Sequence, residues 1–113
     1  MVIGIIGLGL MGGSLGLALQ QTKLVTKVVG FDHNVSHCEE AFKLSLVHDI
    51  VSFSQIKQSD VIFLAIPVGG IISVLQLLQD IPKSTTIIDL GSTKAEIVAS
   101  VPEIIRNNFI AAH

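Results

Sequence analysis

The chain has 113 residues, of which 50% are hydrophobic, and carries 7 basic and 9 acidic residues for a formal net charge of −2. This length fits a single domain with an ample apolar core. The sequence lacks a basic cluster and an aromatic platform, which argues against nucleic-acid binding. Cys38 is the only cysteine, so an intrachain disulfide is excluded, and we expect a reducing, cytoplasmic location with Cys38 half-buried in a helix.

Two uncharged stretches raise the question of membrane insertion. Residues 61–79 are long enough for a membrane helix, but proline, glycine and serine residues in their middle favour a strand, a loop and a helix. The first 22 residues also lack charge, but six glycines interrupt them and no basic n-region is present, unlike in a signal peptide. The sequence therefore predicts a soluble chain without a membrane partner.

The amino terminus combines an apolar run, a glycine-rich turn and a helical pattern. β-Branched residues at 2–6 favour a strand buried on both faces. Gly7, Gly9 and Gly12 then fit the dinucleotide-binding pattern G-x-G-x-x-G. The first glycine permits a tight turn, the second lets the backbone approach a pyrophosphate and the third brings the helix close to the strand. We predict a strand over 2–6, a helix over 12–21, and a phosphate-binding loop that includes Leu8, Leu10 and Met11.

The second apolar run ends in an acidic residue. Residues 27–31 predict a strand, and Asp32 follows Gly12 by 20 residues, the spacing at which a carboxylate meets the adenosine ribose. Asp32 could instead cap a turn, which is a common role of aspartate. A carboxylate in the ribose position accepts hydrogen bonds from both hydroxyls and repels a 2′-phosphate, and neither His33 nor Asn34 reverses that preference. We therefore predict NAD rather than NADP as the cofactor.

Two histidines after the second strand could indicate a metal site. His33 and His37 are four positions apart and lie near Glu40 in the sequence, but no third ligand follows in a recognisable spacing. We expect no metal, and we expect His48 to lie on the surface.

The remaining elements are expected to alternate along the chain. Ser36 and Glu39 match a capping box, which predicts a helix over 36–44. Weak patterns predict a short strand at 50–51 and a turn of helix at 55–58. Stronger patterns predict strands at 61–66, 85–90 and 109–112 and a helix at 71–79.

Strands that alternate with helices over short connections make an α/β fold. The sequence predicts a doubly wound parallel sheet, a Rossmann-type three-layer α/β/α domain that spans residues 1–113 and binds a dinucleotide. In such sheets, ligands bind outside the carboxyl ends of the strands. Pro67, which ends its strand, and the neighbouring Val68 are therefore candidate cofactor-binding residues, and so is Gly91.

Two residues near the ends of later strands are candidates for chemistry. A capping box formed by Thr93 and Glu96 would leave the hydroxyl of Ser92 free to face the cleft. His113 follows the last predicted strand, where a substrate would meet the nicotinamide, although a final residue can also be a frayed end. We predict Ser92 and His113 as the catalytic residues.

Residues 7–15, 89–94 and 109–113 together resemble the nucleotide-binding half of prephenate dehydrogenase. The glycine-rich start is shared with related dehydrogenases, whereas Ser92 and a histidine 21 residues later are more discriminating. The resemblance covers essentially the whole chain. The proline that normally follows this histidine in the family is not present in the sequence.

The resemblance implies NAD-dependent oxidative decarboxylation of prephenate to 4-hydroxyphenylpyruvate, a step of tyrosine biosynthesis. His113 would accept the proton of the ring hydroxyl as hydride passes to NAD, and Ser92 would orient that hydroxyl or the imidazole. Family members bind the two prephenate carboxylates and form homodimers through a following helical domain, whereas this chain has a single arginine, Arg106. We expect the chain to be the NAD-binding domain without that helical domain, and to be inactive alone.

Two alternatives stay open. One is a related dehydrogenase with a similar amino-terminal domain, which acts on arogenate or on a 3-hydroxyacid. The other is a free-standing NAD-sensing module that regulates a partner and has no chemistry of its own. In the second case, Ser92 and His113 would be dispensable.

Overall fold

Each strand except the last is followed by a helix, and this alternation builds a six-stranded parallel sheet in the computed structural model, which describes residues 1–90 and 94–111. The strands are β1 (Val2–Ile6), β2 (Lys27–Phe31), β3 (Asp49–Ile50), β4 (Val61–Leu64), β5 (Thr86–Asp89) and β6 (Phe109–Ala111). The helices are α1 (Leu10–Leu19), α2 (Val35–Lys43), α3 (Phe53–Ile56), α4 (Val68–Leu77) and α5 (Lys94–Ala99), and a 3₁₀ helix spans Glu103–Asn108.

The strand order is β3-β2-β1-β4-β5-β6, so the chain moves outward from β1 in one direction and then from β4 in the other. β1 pairs with β2 from Val2 opposite Lys27, and with β4 from Ile3 opposite Val61. The order reverses between β1 and β4, which is where doubly wound sheets form a crevice. The predicted Rossmann-type fold is confirmed.

Side chains of the strands alternate between the two faces of the sheet and divide the core into two layers. Ile3 and Ile5 of β1 belong to the layer beneath α1 and α2. Ile6 belongs to the opposite layer, together with Ile62 and Leu64 of β4. That second layer is the larger one, because α3, α4, α5 and the 3₁₀ helix all contribute buried aliphatic side chains to it.

The first helix packs against the sheet through glycines. Gly12, Gly13 and Gly16 are its buried residues, and a Cβ on Gly16 would overlap the carbonyl oxygen of Leu46. The helix begins at Leu10, two residues before the predicted start, because Gly9 already has the extended conformation of an N-cap. Gly12 therefore lies inside the helix.

The second helix begins before the predicted capping box. Asn34 is the N-cap, and its side chain accepts the backbone N–H groups of Ser36 and His37 at 2.9 and 3.3 Å. The predicted cap at Ser36 with Glu39 is wrong, because Asn34, also a favoured capping residue, already satisfies these donors two residues earlier. Cys38 is half-buried in this helix, as predicted.

Other boundaries differ from the sequence predictions by one to three residues. The predicted elements at 50–51 and 55–58 are observed as β3 and α3, each starting earlier, and a capping box of Ser52 and Gln55 fixes the start of α3. β4 ends at Leu64 and α4 starts at Val68, because Pro67 serves as the N-cap. β5 spans less than the predicted 85–90. The 3₁₀ helix was not predicted, and the predicted capping box at Thr93 lies outside the described residues.

Within the described residues, no helix has both the length and the apolar character needed to cross a membrane.

Candidate functional site

β1 and β4 end side by side at one edge of the sheet, and the turns after them form the candidate site. Gly7 leaves β1 with φ +102°, a conformation that L side chains rarely adopt, and its N–H donates to the carbonyl of Phe31 at 2.8 Å. A Cβ on Gly7 would overlap the carbonyl oxygen of Ala65, in the turn after β4. The two turns therefore lie in direct contact, and only glycine fits at this position.

The other two glycines of the pattern have opposite surroundings. A Cβ on Gly9 would have no described heavy atom within 4 Å, so the backbone here is open to a ligand. A Cβ on Gly12 would overlap the carbonyl oxygen of Gly7 and lie 3.3 Å from Cβ of Ala65. These are the environments that a G-x-G-x-x-G turn requires: strained, open and tightly packed in that order.

Two cavities line the carboxyl ends of the strands and meet at Ile66 and Pro67. The first, of about 380 Å³, is lined by Gly9, Leu10, Met11, Ala65, Ile66, Pro67, Val68 and Leu90. The second, of about 250 Å³, extends past Gly7 to Phe31, Asp32 and His33. Together they form a groove that crosses the edge of the sheet, which we call the strand-end groove.

The strand-end groove brings together most of the predicted cofactor-binding residues. Leu8 is an exception, because its side chain is buried in the core and only its backbone N–H faces the site. Gly12 lies beneath the turn rather than in the groove. The predicted residues Gly91, Ser92 and His113 lie outside the described part of the chain.

Both helices that start at the groove present free backbone donors to it. Their N-cap residues are Gly9 for α1 and Pro67 for α4, and neither has a side chain that can accept a hydrogen bond. The first turns of both helices contain no acidic residue. By contrast, α2 and α3 are capped by the side chains of Asn34 and Ser52. The starts of α1 and α4 are therefore suited to an anionic group such as a pyrophosphate.

The carboxylate of Asp32 follows β2 and connects three segments. Its Oδ2 accepts the N–H of Leu8 at 2.7 Å, and its Oδ1 accepts the N–H of Asn34 at 2.8 Å. Nδ1 of His37 lies 3.0 Å from Oδ2. Burial alone raises the pKa of Asp32, but the hydrogen bonds from Asn34, Leu8 and His37 outweigh burial and hold the pKa below its usual value. Asp32 is therefore an ionised acceptor at neutral pH.

The sequence analysis did not assign a role to His37 in this site. The signal was present, because an N-cap at Asn34 places His37 in the first turn of a helix that starts beside Asp32. His33 lines the groove beside Asp32, and its ring lies 5.2 Å from the ring of Phe31 in an edge-on contact. Among residues 1–90 and 94–111, no group of three side chains is arranged to hold a metal ion. His48 is exposed, as predicted, and its Nδ1 accepts the N–H of Val28 at 2.8 Å.

The chain matches a family model described as "Prephenate dehydrogenase, nucleotide-binding domain" over residues 15–113. The chain belongs to this family. The resemblance noted in the sequence is thus confirmed. The family match begins after the glycine turn, so the fingerprint geometry and the family match are separate observations.

Named relatives agree with the family. The prephenate dehydrogenase of Bacillus subtilis is 29% identical over 113 residues, which are 95% of this chain and 30% of that protein. Prephenate dehydrogenase of Aquifex aeolicus, solved with hydroxyphenyl propionate and NAD⁺, superposes with a TM-score of 0.90 at 25% identity, over 100% of this chain and 41% of that one. Arogenate dehydrogenase of Synechocystis superposes with a TM-score of 0.86 at 28% identity, over 100% and 40%. The chain spans 30% and 32% of the length of the curated relatives that it matches.

Proposed function

We propose that this chain is the NAD-binding domain of a dehydrogenase that oxidatively decarboxylates prephenate to 4-hydroxyphenylpyruvate in tyrosine biosynthesis. The observation that carries the proposal is the strand-end groove, with an open glycine turn in its middle and an ionised carboxylate at one end, in a member of this family. Arogenate is the second candidate substrate, because the Synechocystis arogenate dehydrogenase is similar to this chain to a comparable degree.

The residues of the groove fit NAD by their chemistry. The uncapped starts of α1 and α4 would hold the pyrophosphate, and Asp32 would accept a hydrogen bond from a ribose hydroxyl. Leu10, Met11 and Val68 give the other end of the groove an apolar wall for a flat ring. When bound, NAD supplies a two-electron acceptor for hydride.

The chemistry itself is assigned to Ser92 and His113, with Gly91 beside the cofactor. In the sequence, Ser92 lies between β5 and α5 and His113 lies two positions after β6, and both strands run parallel to β1. His113 would accept the proton of the ring hydroxyl as the carbon that bears it gives up hydride, and Ser92 would orient that hydroxyl or the imidazole. Loss of carbon dioxide then makes the ring aromatic.

We propose that turnover of prephenate also requires a second domain that this chain does not include. Prephenate has two carboxylates, and Arg106 is the single arginine of the sequence. Because the chain spans about a third of its relatives, we assign substrate binding and homodimer formation to a following helical domain. The chain alone should therefore bind NAD without converting prephenate.

Calorimetric titration with NAD⁺ and NADP⁺ tests the cofactor part of the proposal. NAD⁺ should bind more tightly than NADP⁺, and Asp32→Ala should narrow the difference by removing the acceptor and its charge. Gly9→Val should abolish binding and keep the circular dichroism spectrum, because its side chain would fill the open space above the turn without touching the core. Normal NAD⁺ binding by a folded Gly9→Val protein would contradict the proposed site.

The catalytic part of the proposal is tested in the full-length enzyme. His113→Asn should lower kcat by roughly 100-fold or more and change NAD⁺ affinity little, since a general base acts mainly in the transition state. Turnover of prephenate and of arogenate, followed by NADH absorbance, identifies the substrate. Near-normal turnover by His113→Asn would move the base elsewhere and would favour the frayed-end interpretation.

A further inference from the structure

The carboxylate that is proposed to select the cofactor has a titratable neighbour. Nδ1 of His37 lies 3.0 Å from Oδ2 of Asp32, and the His37 side chain keeps 47% of its surface exposed. Both Asp32 oxygens already accept a backbone N–H, from Leu8 and from Asn34. Three of roughly four acceptor positions of the carboxylate are therefore in use, and His37 occupies one of those on Oδ2.

The chemistry of the pair fixes the tautomer of His37. An ionised carboxylate only accepts hydrogen bonds, so the proton of a neutral His37 must be on Nδ1. Nε2 then offers a lone pair, and no hydrogen bond to it is formed within the described residues. When His37 is protonated, Nε2 becomes a charged donor instead.

The position of His37 is set by the start of α2. The side-chain oxygen of Asn34 accepts the N–H groups of Ser36 and His37, and the N–H of Asn34 donates to Asp32. The same asparagine thus fixes both members of the pair. The ring is held beside the carboxylate before any ligand binds.

Few other charges face this ring. Glu40 lies one turn later on α2 and lines, with His37, a cavity of about 480 Å³ between α1 and α2. The helix α1 on the other side of that cavity has no charged residue over Leu10–Leu19. This cavity shares Gly9 and Leu10 with the strand-end groove, so the two border each other. Asp32 is thus the charged group in contact with His37, Glu40 lines the same cavity, and His33 lines the strand-end groove beside Asp32.

We propose that His37 determines which 2′ substituent the site accepts. Neutral His37 and ionised Asp32 present acceptors and a net negative charge, which suits a ribose 2′-hydroxyl and repels a 2′-phosphate. Protonated His37 offsets the charge of Asp32 and donates from Nε2 to a phosphate oxygen. A protonated His37 thereby places a cationic donor in direct contact with Asp32. The inference rests on the proposed function, because it requires a dinucleotide in this groove.

The test compares the affinities for NADP⁺ and NAD⁺ at an acidic pH of about 6 and an alkaline pH of about 8.5. In the wild-type chain, the ratio of Kd for NADP⁺ to Kd for NAD⁺ should be about tenfold or more lower at the acidic pH, the effect of one charge-assisted hydrogen bond. His37→Asn keeps an amide donor near Asp32 but cannot become charged. In this variant, the ratio of the two Kd values should still change with pH, but only through the 2′-phosphate of NADP⁺, whose own pKa is about 6.

His48→Asn is the matched control. It removes a histidine distant from Asp32 and keeps an oxygen in place of Nδ1 to accept the N–H of Val28, so the wild-type pH dependence should persist. Persistence of that dependence in His37→Asn would overturn the inference. Normal NAD⁺ binding with the same ratio at both pH values in the wild type would also overturn it and would leave the proposed function intact. Loss of binding of both dinucleotides by the wild type would contradict the proposed function itself.

Discussion

The two strand–turn–helix units that border the strand-end groove have the same plan and different interiors. Helices α1 and α4 are both 10 residues long, and both start at the groove without a side-chain cap. The buried residues of α1 are three glycines. Those of α4 are Ile71, Val74 and Leu75, which fill the larger core layer.

The difference indicates that the two helices have different roles: α1 brings the backbone close to a ligand, and α4 stabilises the fold. A helix that packs through glycines buries little apolar area, but its first turn comes close to β1, directly over the carbonyl of Gly7. A helix that packs through aliphatic side chains stands further away and buries more apolar area, so it contributes more hydrophobic stabilisation. We therefore expect α4 to contribute more to stability than α1, and α1 to provide the close backbone approach to a ligand.

The largest loss of stability should come from shortening a buried side chain of α4. Leu75 is 0% exposed, and Leu75→Ala should lower the free energy of unfolding by about 3–4 kcal/mol because it leaves a cavity. Leu17→Ala on α1, where the leucine is 45% exposed, should cost less than about 0.5 kcal/mol. Urea denaturation of both variants measures the contrast, and equal losses would refute the separation of tasks.

A smaller loss should follow from adding a methyl group to the α1 side. Gly12→Ala should cost about 2–3 kcal/mol, because its Cβ would overlap the carbonyl oxygen of Gly7 and force the helix away from β1. Gly69→Ala is the matched variant in α4, where a Cβ would meet no described atom within 4 Å. It should add about 0.5–1 kcal/mol through helix propensity. Thermal unfolding distinguishes the two, and a stabilising Gly12→Ala would contradict the close contact.

Substitutions where the two units meet, at the contact between Ser59 and Gly4, should change the free energy of unfolding less. The hydroxyl of Ser59, just before β4, is buried against Gly4 of β1 and has no hydrogen-bond partner within the described chain. Ser59→Ala should raise the free energy of unfolding by about 1 kcal/mol, because it removes an unsatisfied buried oxygen. Thr85→Val is the opposite control, since the Thr85 hydroxyl donates to the carbonyl of Ser59 at 3.0 Å. It should lower stability by about 1 kcal/mol.

The smallest expected effect is a contribution of Asp32 to stability that acid removes. The pKa of Asp32 is lower in the folded chain than in the unfolded one, so its ionised form adds stability above the unfolded pKa, and that stability is lost as pH falls through the folded pKa. The stability difference between wild type and Asp32→Asn should therefore shrink below about pH 4. Denaturation curves recorded between neutral pH and about pH 3 measure it. Parallel curves would show that Asp32 does not link the glycine turn to α2.

The strands were predictable where local pattern and tertiary environment agree. β1 and β2 have the predicted bounds, because continuous β-branched runs are typical of strands buried on both faces. Helix starts were less predictable, since several residues near each start can serve as caps. Asn34 and Ser36 are both favourable, and only the position of Asp32, whose Oδ1 bonds the N–H of Asn34, decides between them.

The candidate site was predictable in outline, and its electrostatics were not. Glycine spacing indicated the turn, because each glycine has a separate steric reason to be there. The pairing of Asp32 with His37 depends on the register of α2 and on the direction of two side chains, which no spacing rule contains. The 3₁₀ helix was missed for a similar reason: the amide of buried Asn108 bonds the carbonyls of Pro82, Lys83 and Thr85, a long-range contact that holds the segment against β5.

The central place of β1 also matters while the chain is being made. β1 leaves the ribosome before β2 and can pair with it soon afterwards, but its other edge needs β4. Roughly 30 residues separate the ends of β2 and β4, and at about 5–20 residues per second their synthesis takes roughly 2–6 s. During that interval the unpaired edge can template pairing with another nascent chain. We therefore expect slow translation between residues 31 and 64 to raise the yield of aggregate.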